Sequence, residues 1–502
     1  MTPSPWILTA GLWVLTLALA FAAPVGASEP LATLYDGPDG ATCQYFNYGA
    51  RVPWLHRRGD WVDVNGRSQG ESPFARAVIE DTHKIRVIEW DVTGLTQSWL
   101  SGDVENSGLL LDTVKGTSSG TILFSSKEAS AADRRPRIVM TLTAPTETRT
   151  IAAAADTTLD CSTVMSLGTR EELYVGGETR AALQFDLTAL KGRRVTRAVL
   201  QLTTTTEQFG AATVGVFKLD APVRQAPSSR RTGIAAAYPR DEGIEKDPDV
   251  IMASGFEAPL WRSAWSYVSV TSHVERVDRD DDRRFEPFLG HALRVAIRRG
   301  DNLGLDMGFN FKDKLGYEPE EMYFRYYLRF GDDWIPSVDG GKLPGFAATY
   351  ARAGWGGRKS NGSEGWSMRG LFHRATSEGN PLYGRTAIGS YAYHAETDDF
   401  WGDEWNWTNK GVGVLERNRW YCIEQYVKVN TPAVKDGIVQ GWIDDKLAFD
   451  KTDVHVRDVP SIKIEKLWMN VYHGGTARAT QDLHLYLDNV VIARRPIGCA
   501  TR

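Results

Sequence analysis

A surplus of positive charge is missing. The 502 residues hold 58 Lys and Arg against 63 Asp and Glu, a net charge of −5. That leaves no electrostatic footprint for nucleic acid. It also requires any site for a polyanion to be basic locally rather than globally. Cysteine is scarce. Cys43, Cys161, Cys422 and Cys499 are the four present, and their spacing is not that of a zinc site, so neither metal nor cofactor is expected. Past the N-terminus, no apolar run is long enough to span a membrane. Helical periodicity is nearly absent, which leaves an all-β chain. No strand carries the E-x-D-x-E run that would place two carboxylates together, so a retaining glycoside hydrolase is disfavoured.

Charge is missing altogether from residues 1–27. There "WILTAGLWVLTLALAFAA" is followed by "PVGA", with small Val25 and Ala27 before Ser28. This reads as a secretory signal peptide over 1–27, although "MTPSP" lacks the usual basic residue. A retained anchor is the alternative, with a run near the lower limit for spanning. The expected location is therefore secreted or periplasmic, with no membrane association beyond the cleaved peptide. Such a compartment permits disulfides, and four cysteines allow three pairings.

What the chain has in plenty is short alternating runs and aromatics, including 17 Trp. Residues 30–225 contain "RVIEWDVTGL", "SGLLLDTV", "PRIVMTLTA", "AALQFDLTAL", "RAVLQLTTTT" and "ATVGVFKLDA". These read as strands of a β-sandwich. "EWDVTGLTQSWLSGDVENSGLLL" with "FSSKEASAADRRPRIVMTL" resembles the C-terminal half of a DNRLRE-type (disaggregatase-related) carbohydrate-binding module. "ADTTLDCSTVMSLGTREELYVGGETRAALQFDLTALKGRRVTRAVLQL" resembles its N-terminal half. The halves stand in reversed order, which implies one circularly permuted sandwich; two truncated modules are the alternative. A single domain implies the pairing Cys43–Cys161. Residues 226–248, polar and rich in Pro, Ser and charge, read as a linker.

From 249 to 502 the strands turn aromatic: "MYFRYYLRF", "GWSMRGLFHR", "GSYAYH", "RWYCIEQYVKVN", "IVQGWIDDKLAF", "KLWMNVYHGG", "LHLYLDNVVIA". Regular spacing without helices points to a jelly roll of antiparallel sheets. Cys499 follows the closing strand and Cys422 lies within an interior one; adjacent strands could bring them together, so Cys422–Cys499 is the favoured pairing, with free buried thiols as the alternative. Strand parity is informative, because successive side chains point to opposite faces. Trp366, Met368 and Phe372 share one face; Ser367, Arg369, Leu371 and His373 share the other. Phe324, Tyr326, Leu328 and Phe330 oppose Tyr323, Arg325, Tyr327 and Arg329. If the polar faces belong to one sheet, they line a basic, phenol-rich groove. By itself this pattern also fits ordinary solvated faces, with Arg stacked on Tyr.

"GKLPG" at 341–345, "GWSMR" at 365–369 and "SYAYH" at 390–394, in that order, resemble polysaccharide lyase family 14, which includes alginate and glucuronan lyases. The resemblance spans roughly 250 residues. It implies a β-jelly-roll lyase domain over 249–502 with Lys342, Arg369, Tyr391 and Tyr393 as catalytic residues. It implies Ser367 as a substrate-binding residue, and parity adds His373 and Arg325 in that role. The stretch 345–365 is unlike the loop expected of an alginate lyase, so alginate and glucuronan both stay open. "HAETDDFWGDEW" holds five carboxylates without a recognised ligand spacing and reads as a solvated acidic loop.

The residue types suit β-elimination. Arg can neutralise a uronate carboxylate bidentately and so acidify the neighbouring C5 proton. A base then removes that proton and an acid protonates O4; Tyr can serve if nearby cations lower its pKa, and Lys342 can be the base itself. The expected partner is an acidic polysaccharide, with the protein acting as a monomer. A non-catalytic lectin of two sandwiches is the competing reading, and formation of an unsaturated product separates the two.

Overall fold

The computed structural model describes residues 33–221, 232–269 and 271–501. The run read as a signal peptide lies outside the described residues. None of the described helices is long and apolar enough to cross a membrane.

The N-terminal domain is organised by one strand of 26 residues, Val195–Asp220. Its sheet runs Ala155–Asp160, Thr179–Gln184, Leu109–Thr113, Val195–Asp220, Ser119–Ser125, Glu172–Val175. Strands from both halves of the sequence alternate in that order, so they build one domain and not two truncated ones. Alternating residues supply the core. Trp90, Phe124, Leu200 and Val214 are buried together. The short helix Thr93–Ser101 has no counterpart in the expected strands. Its Leu95, Thr96, Trp99 and Leu100 face that core at helical spacing, and Gly102 at φ 81° ends it. Cys43 and Cys161 are disulfide-bonded, with Cα atoms 5.0 Å apart.

The C-terminal domain is a sandwich of two eight-stranded antiparallel sheets. One carries Glu321–Phe330, Tyr421–Lys428 and Leu483–Ala493 near its centre. The other runs Leu303–Asn310, Lys466–Tyr472, Gly341–Ala348, Trp366–Phe372, Thr386–Tyr393, Asp403–Asn406. The apolar parities meet between them. Phe324, Tyr326, Leu328 and Phe330 pack against Phe346, Trp366, Met368 and Phe372. Each buried aromatic of this kind contributes a few kcal/mol, of order 3–5 when truncated to Ala. Cys422 and Cys499 are bonded on the outer face of the first sheet, with Cα atoms 5.9 Å apart.

The segment read as a linker is shorter than expected. Ile234, Ala235 and Ile244 are buried against Val491, Ala493 and Ile497. The Ile234 and Ala235 amides donate to the carbonyls of Pro496 and Ile497 at 2.9 and 2.8 Å. Polar composition hid three apolar anchors, and the C-terminal domain includes residue 232 onward. The two domains also touch directly. Ala50 and Val52 pack on Leu382, and Ser377 donates to Asp39 through both its amide and its hydroxyl.

Candidate active site

The outer face of the second sheet lines a cleft of about 1050 Å³. Its side chains are fixed by strand register. Trp468 lies opposite Gly345, Gly345 opposite Arg369, Arg369 opposite Tyr391, and Tyr391 opposite Glu404. These residues form one row across five strands. A second row runs Tyr472, Lys342, Leu371. Directly opposed residues share a face, so Lys342 and Arg369 emerge on the same side.

The sequence Lys-Leu-Pro-Gly makes this arrangement possible. Pro344 cannot donate to the ladder, and the register slips between Leu343 and Gly345. The slip sets a residue without a side chain opposite Arg369. A Cβ at Gly345 would lie 2.2 Å from the Met368 carbonyl and 2.5 Å from Arg369 Cα, so only glycine allows the strands to approach this closely. The guanidinium then lies over the Trp468 ring at 4.6 Å.

Arg369 is buried, yet among the described residues no carboxylate lies within 4 Å of it. Its one hydrogen bond there goes from Nη1 to Asn470 Oδ1 at 2.9 Å, and its Nε has no partner. Burial lowers its pKa to about 10. Lys342 is likewise buried and, among the described residues, without a carboxylate partner; its Nζ donates to the Gly340 carbonyl at 3.5 Å. Its Nζ sits 3.5 Å from the Tyr391 ring centroid. Burial, then the nearby Arg369 charge, lower its pKa to about 7, while Glu404 opposes the shift. The Tyr391 hydroxyl accepts from the Gly402 amide at 3.1 Å. The Tyr393 hydroxyl accepts from the Gly357 amide at 3.0 Å. The rings of Tyr391 and Tyr393 meet edge to face, 5.7 Å between centroids. Burial raises the Tyr391 pKa instead of lowering it, so this phenol keeps its proton at neutral pH. The expected cationic lowering is outweighed by desolvation.

Lys342, Arg369, Tyr391 and Tyr393 all line the cleft. Three other sequence-predicted residues do not. Ser367 is fully buried and donates to the Gly354 carbonyl at 2.6 Å. It holds the 349–365 loop, which brings Trp355 to the cleft rim. His373 is fully buried, with Nε2 2.6 Å from Asn406 Oδ1. Burial lowers its pKa to about 4, so it is neutral. Arg325 belongs to the other sheet and points away from the cleft. Its guanidinium makes a bidentate pair with Asp241 at 2.7 and 2.8 Å. Parity correctly placed Arg325 off the core but could not say which sheet it was on.

Sequence reasoning missed other lining residues. Trp468, Asn470 and Tyr472 face the cleft while Leu467, Met469 and Val471 fill the core. The same parity rule, applied to "KLWMNVYHGG", would have found them. The acidic stretch "HAETDDFWGDEW" is largely exposed, as expected, and it also forms a wall of the cleft through Asp399, Asp403 and Glu404. With Asp306 and Asp339 the lining holds five carboxylates against two cations, so the groove is not uniformly basic. Those acids are largely tied off. Asp306 accepts from Trp468 Nε1 at 2.7 Å, Asp403 pairs with His394 at 2.6 Å, and Asp339 pairs with Arg51 and Arg374 at 3.2 and 3.5 Å. Arg352, Arg358 and Lys359 are exposed on the loop, and Arg385 is paired with Glu416.

Residues 298–490 match the family model for polysaccharide lyase 14, and residues 37–140 match the disaggregatase related repeat domain. Residues 298–490 are therefore a polysaccharide lyase domain. No curated protein matches the chain. Among solved structures, the chain is similar to the alginate lyase Aly36B at 20% identity, over 47% of this chain and 90% of that one, with a TM-score of 0.38. It is similar to the marine PL-14 alginate lyase from Aplysia kurodai at 16% identity, over 48% and 98%, with a TM-score of 0.38. It is similar to the endo-β-1,4-glucuronan lyase from the fungus Trichoderma reesei at 13% identity, over 46% and 90%, with a TM-score of 0.32.

Proposed function

We propose that this polysaccharide lyase is an exported enzyme that cleaves a uronic-acid polysaccharide, alginate or glucuronan, by β-elimination. The observation that carries the reading is Arg369. A buried guanidinium without an anion is costly. Here it lies on the cleft floor beside Lys342, the other cation that lines the cleft. A uronate carboxylate supplies the missing partner and gains a charge-assisted pair in a dry setting.

Chemistry follows from that placement. Pairing with Arg369 withdraws charge from the carboxylate and acidifies the C5 proton. Lys342, neutral in substantial part near pH 7, takes that proton on Nζ. The C5–H electron pair becomes the C4=C5 double bond and the C4–O4 bond breaks. O4 receives a proton from a phenol, and Tyr391 and Tyr393 are both in the cleft to give it. One new chain end is the unsaturated sugar; the other keeps the former glycosidic oxygen, now protonated, as the anomeric hydroxyl of a new reducing end. Aromatic faces of Trp355, Trp401 and Trp468 line the same cleft and suit stacking on sugar rings. The apolar N-terminal run supports export, and the resemblance of 30–225 to a binding module supports a role in holding polysaccharide.

The test is a screen of the purified full chain on alginate, polymannuronate, polyguluronate and glucuronan, following ultraviolet absorbance of the conjugated product. Absorbance growth on at least one uronan is expected. Binding without product on all four would reject catalysis in favour of a lectin.

A further inference from the structure

The N-terminal domain reaches into the catalytic domain beside the cleft. Asn47 Nδ2 donates to Asn380 Oδ1 at 2.9 Å, and the Thr408 hydroxyl donates to the carbonyl of Arg51. Thr408 follows the strand Asp403–Asn406 that walls the cleft. Arg51 itself is held at φ 51°, an uncommon conformation for a residue with a side chain. Its guanidinium stacks on the Tyr48 ring at 4.2 Å and is buried. From there Nη2 reaches Asp339 Oδ1 at 3.2 Å, and Nε lies 3.4 Å from His373 Nδ1. His373 Nδ1 in turn is 4.0 Å from Glu404 Oε2. Asp339 and Glu404 both line the cleft, as does Lys342.

The position poses an electrostatic question. A cleft that takes a polyanion should not present bare carboxylates next to its base. The catalytic domain offers Asp339 an exposed partner, Arg374, at 3.5 Å. The buried partner comes from the other domain. We propose that Arg51 is a positioning residue of the cleft: supplied by the N-terminal domain, it neutralises the Asp339–Glu404 wall so that a uronate carboxylate can lie beside Lys342. The N-terminal domain is then part of the substrate site and not only a tethered sugar-binding module. This rests on the lyase reading above.

A purely structural Arg51, one that glues the domains, predicts a different pattern from a charge-balancing one. The full chain carrying R51Q should show a KM about tenfold higher, with kcat within about twofold, since an uncompensated carboxylate repels bound and incoming uronate alike. Adding D339N to R51Q should bring KM back to within about threefold of the native chain, because the repelling charge is gone. Glue lost through R51Q is not restored by D339N. An unchanged KM in R51Q overturns the proposal, and so does a raised KM that D339N does not lower. If R51Q does not fold, D339N alone decides. It leaves Arg51 unopposed there, so KM should fall, and an unchanged or higher KM overturns the proposal. If the native chain forms no product on any uronan, the lyase reading fails separately. Affinity for a uronate tetrasaccharide, read by tryptophan fluorescence, then replaces KM. Equal affinity of native and R51Q chains, or no binding by the native chain, overturns the role of Arg51.

Discussion

Lys342 gives the sharpest test of the chemistry. An ammonium displaced from 10.5 to about 7 has been disfavoured by about 5 kcal/mol relative to water. At its ordinary value, about one lysine in three thousand would be neutral at pH 7; in this cleft it is roughly half. The native kcat/KM should therefore have an acid limb with its midpoint near pH 7, falling about tenfold per pH unit below it. Lys342→Arg keeps the charge but cannot release a proton at these pH values, so it should lose about 10²–10⁴ in kcat. Glu404→Gln removes the carboxylate that holds Lys342 up, so the limb should move to lower pH. The same shift affects stability with a definite sign. Between about pH 7 and 10.5 the unfolded chain still binds the Lys342 proton and the folded chain does not, so stability rises with pH in that window. Melting curves at each pH separate loss of base from loss of fold. The reasoning is refuted if Lys342→Arg stays within about tenfold of native, or if the acid limb ignores Glu404→Gln.

Other substitutions probe the remaining links. Arg369→Lys preserves charge but loses the planar fork, and should cut kcat/KM by about 10² or more while far-ultraviolet circular dichroism is unchanged; near-native turnover on every uronan cut would misplace the site. Trp366→Ala lies on the core parity and should cost about 3–5 kcal/mol in urea unfolding, with activity following the folded fraction. Asp241→Ala breaks the pair with the fully buried Arg325 and should cost a comparable 3–5 kcal/mol. An unaltered urea midpoint there would return 232–248 to the status of linker.

Much of the fold was legible because alternation is a local signal. The parities of "GWSMRGLFHR" and "MYFRYYLRF" assigned core and non-core faces correctly, and Phe324, Tyr326, Trp366 and Met368 meet in one core. What alternation cannot carry is the partner of the other face. Arg325 and Arg369 look alike in sequence, each interleaved with aromatics. One is closed off by Asp241, eighty-four residues earlier; the other opens onto the cleft. That distinction depends on long-range packing of a segment whose polar composition resembled a linker. Ser367 shows a related limit. It shares the face of Arg369, yet a loop carbonyl covers it, and no pattern within the strand announces that loop's path.

The carboxylates of the cleft show why composition constrained the function so weakly. A net charge of −5 and five lining carboxylates both speak against a polyanion site if charges are merely counted. The structure adds what a count leaves out: three of the five acids are engaged by neighbours, whereas neither cation has a carboxylate partner among the described residues. Asp306, Asp339 and Asp403 are each engaged by an indole, an arginine or a histidine. Lys342 and Arg369 are left without a counter-ion in a desolvated place, where each interaction is stronger than in water. An anion entering the cleft therefore meets the buried charge of Arg369, a Lys342 that is only partly protonated, and a wall most of whose acids are engaged by neighbours. A local surplus of this kind arises from pairing, and pairing is set by contacts as distant in sequence as Arg51 with Asp339.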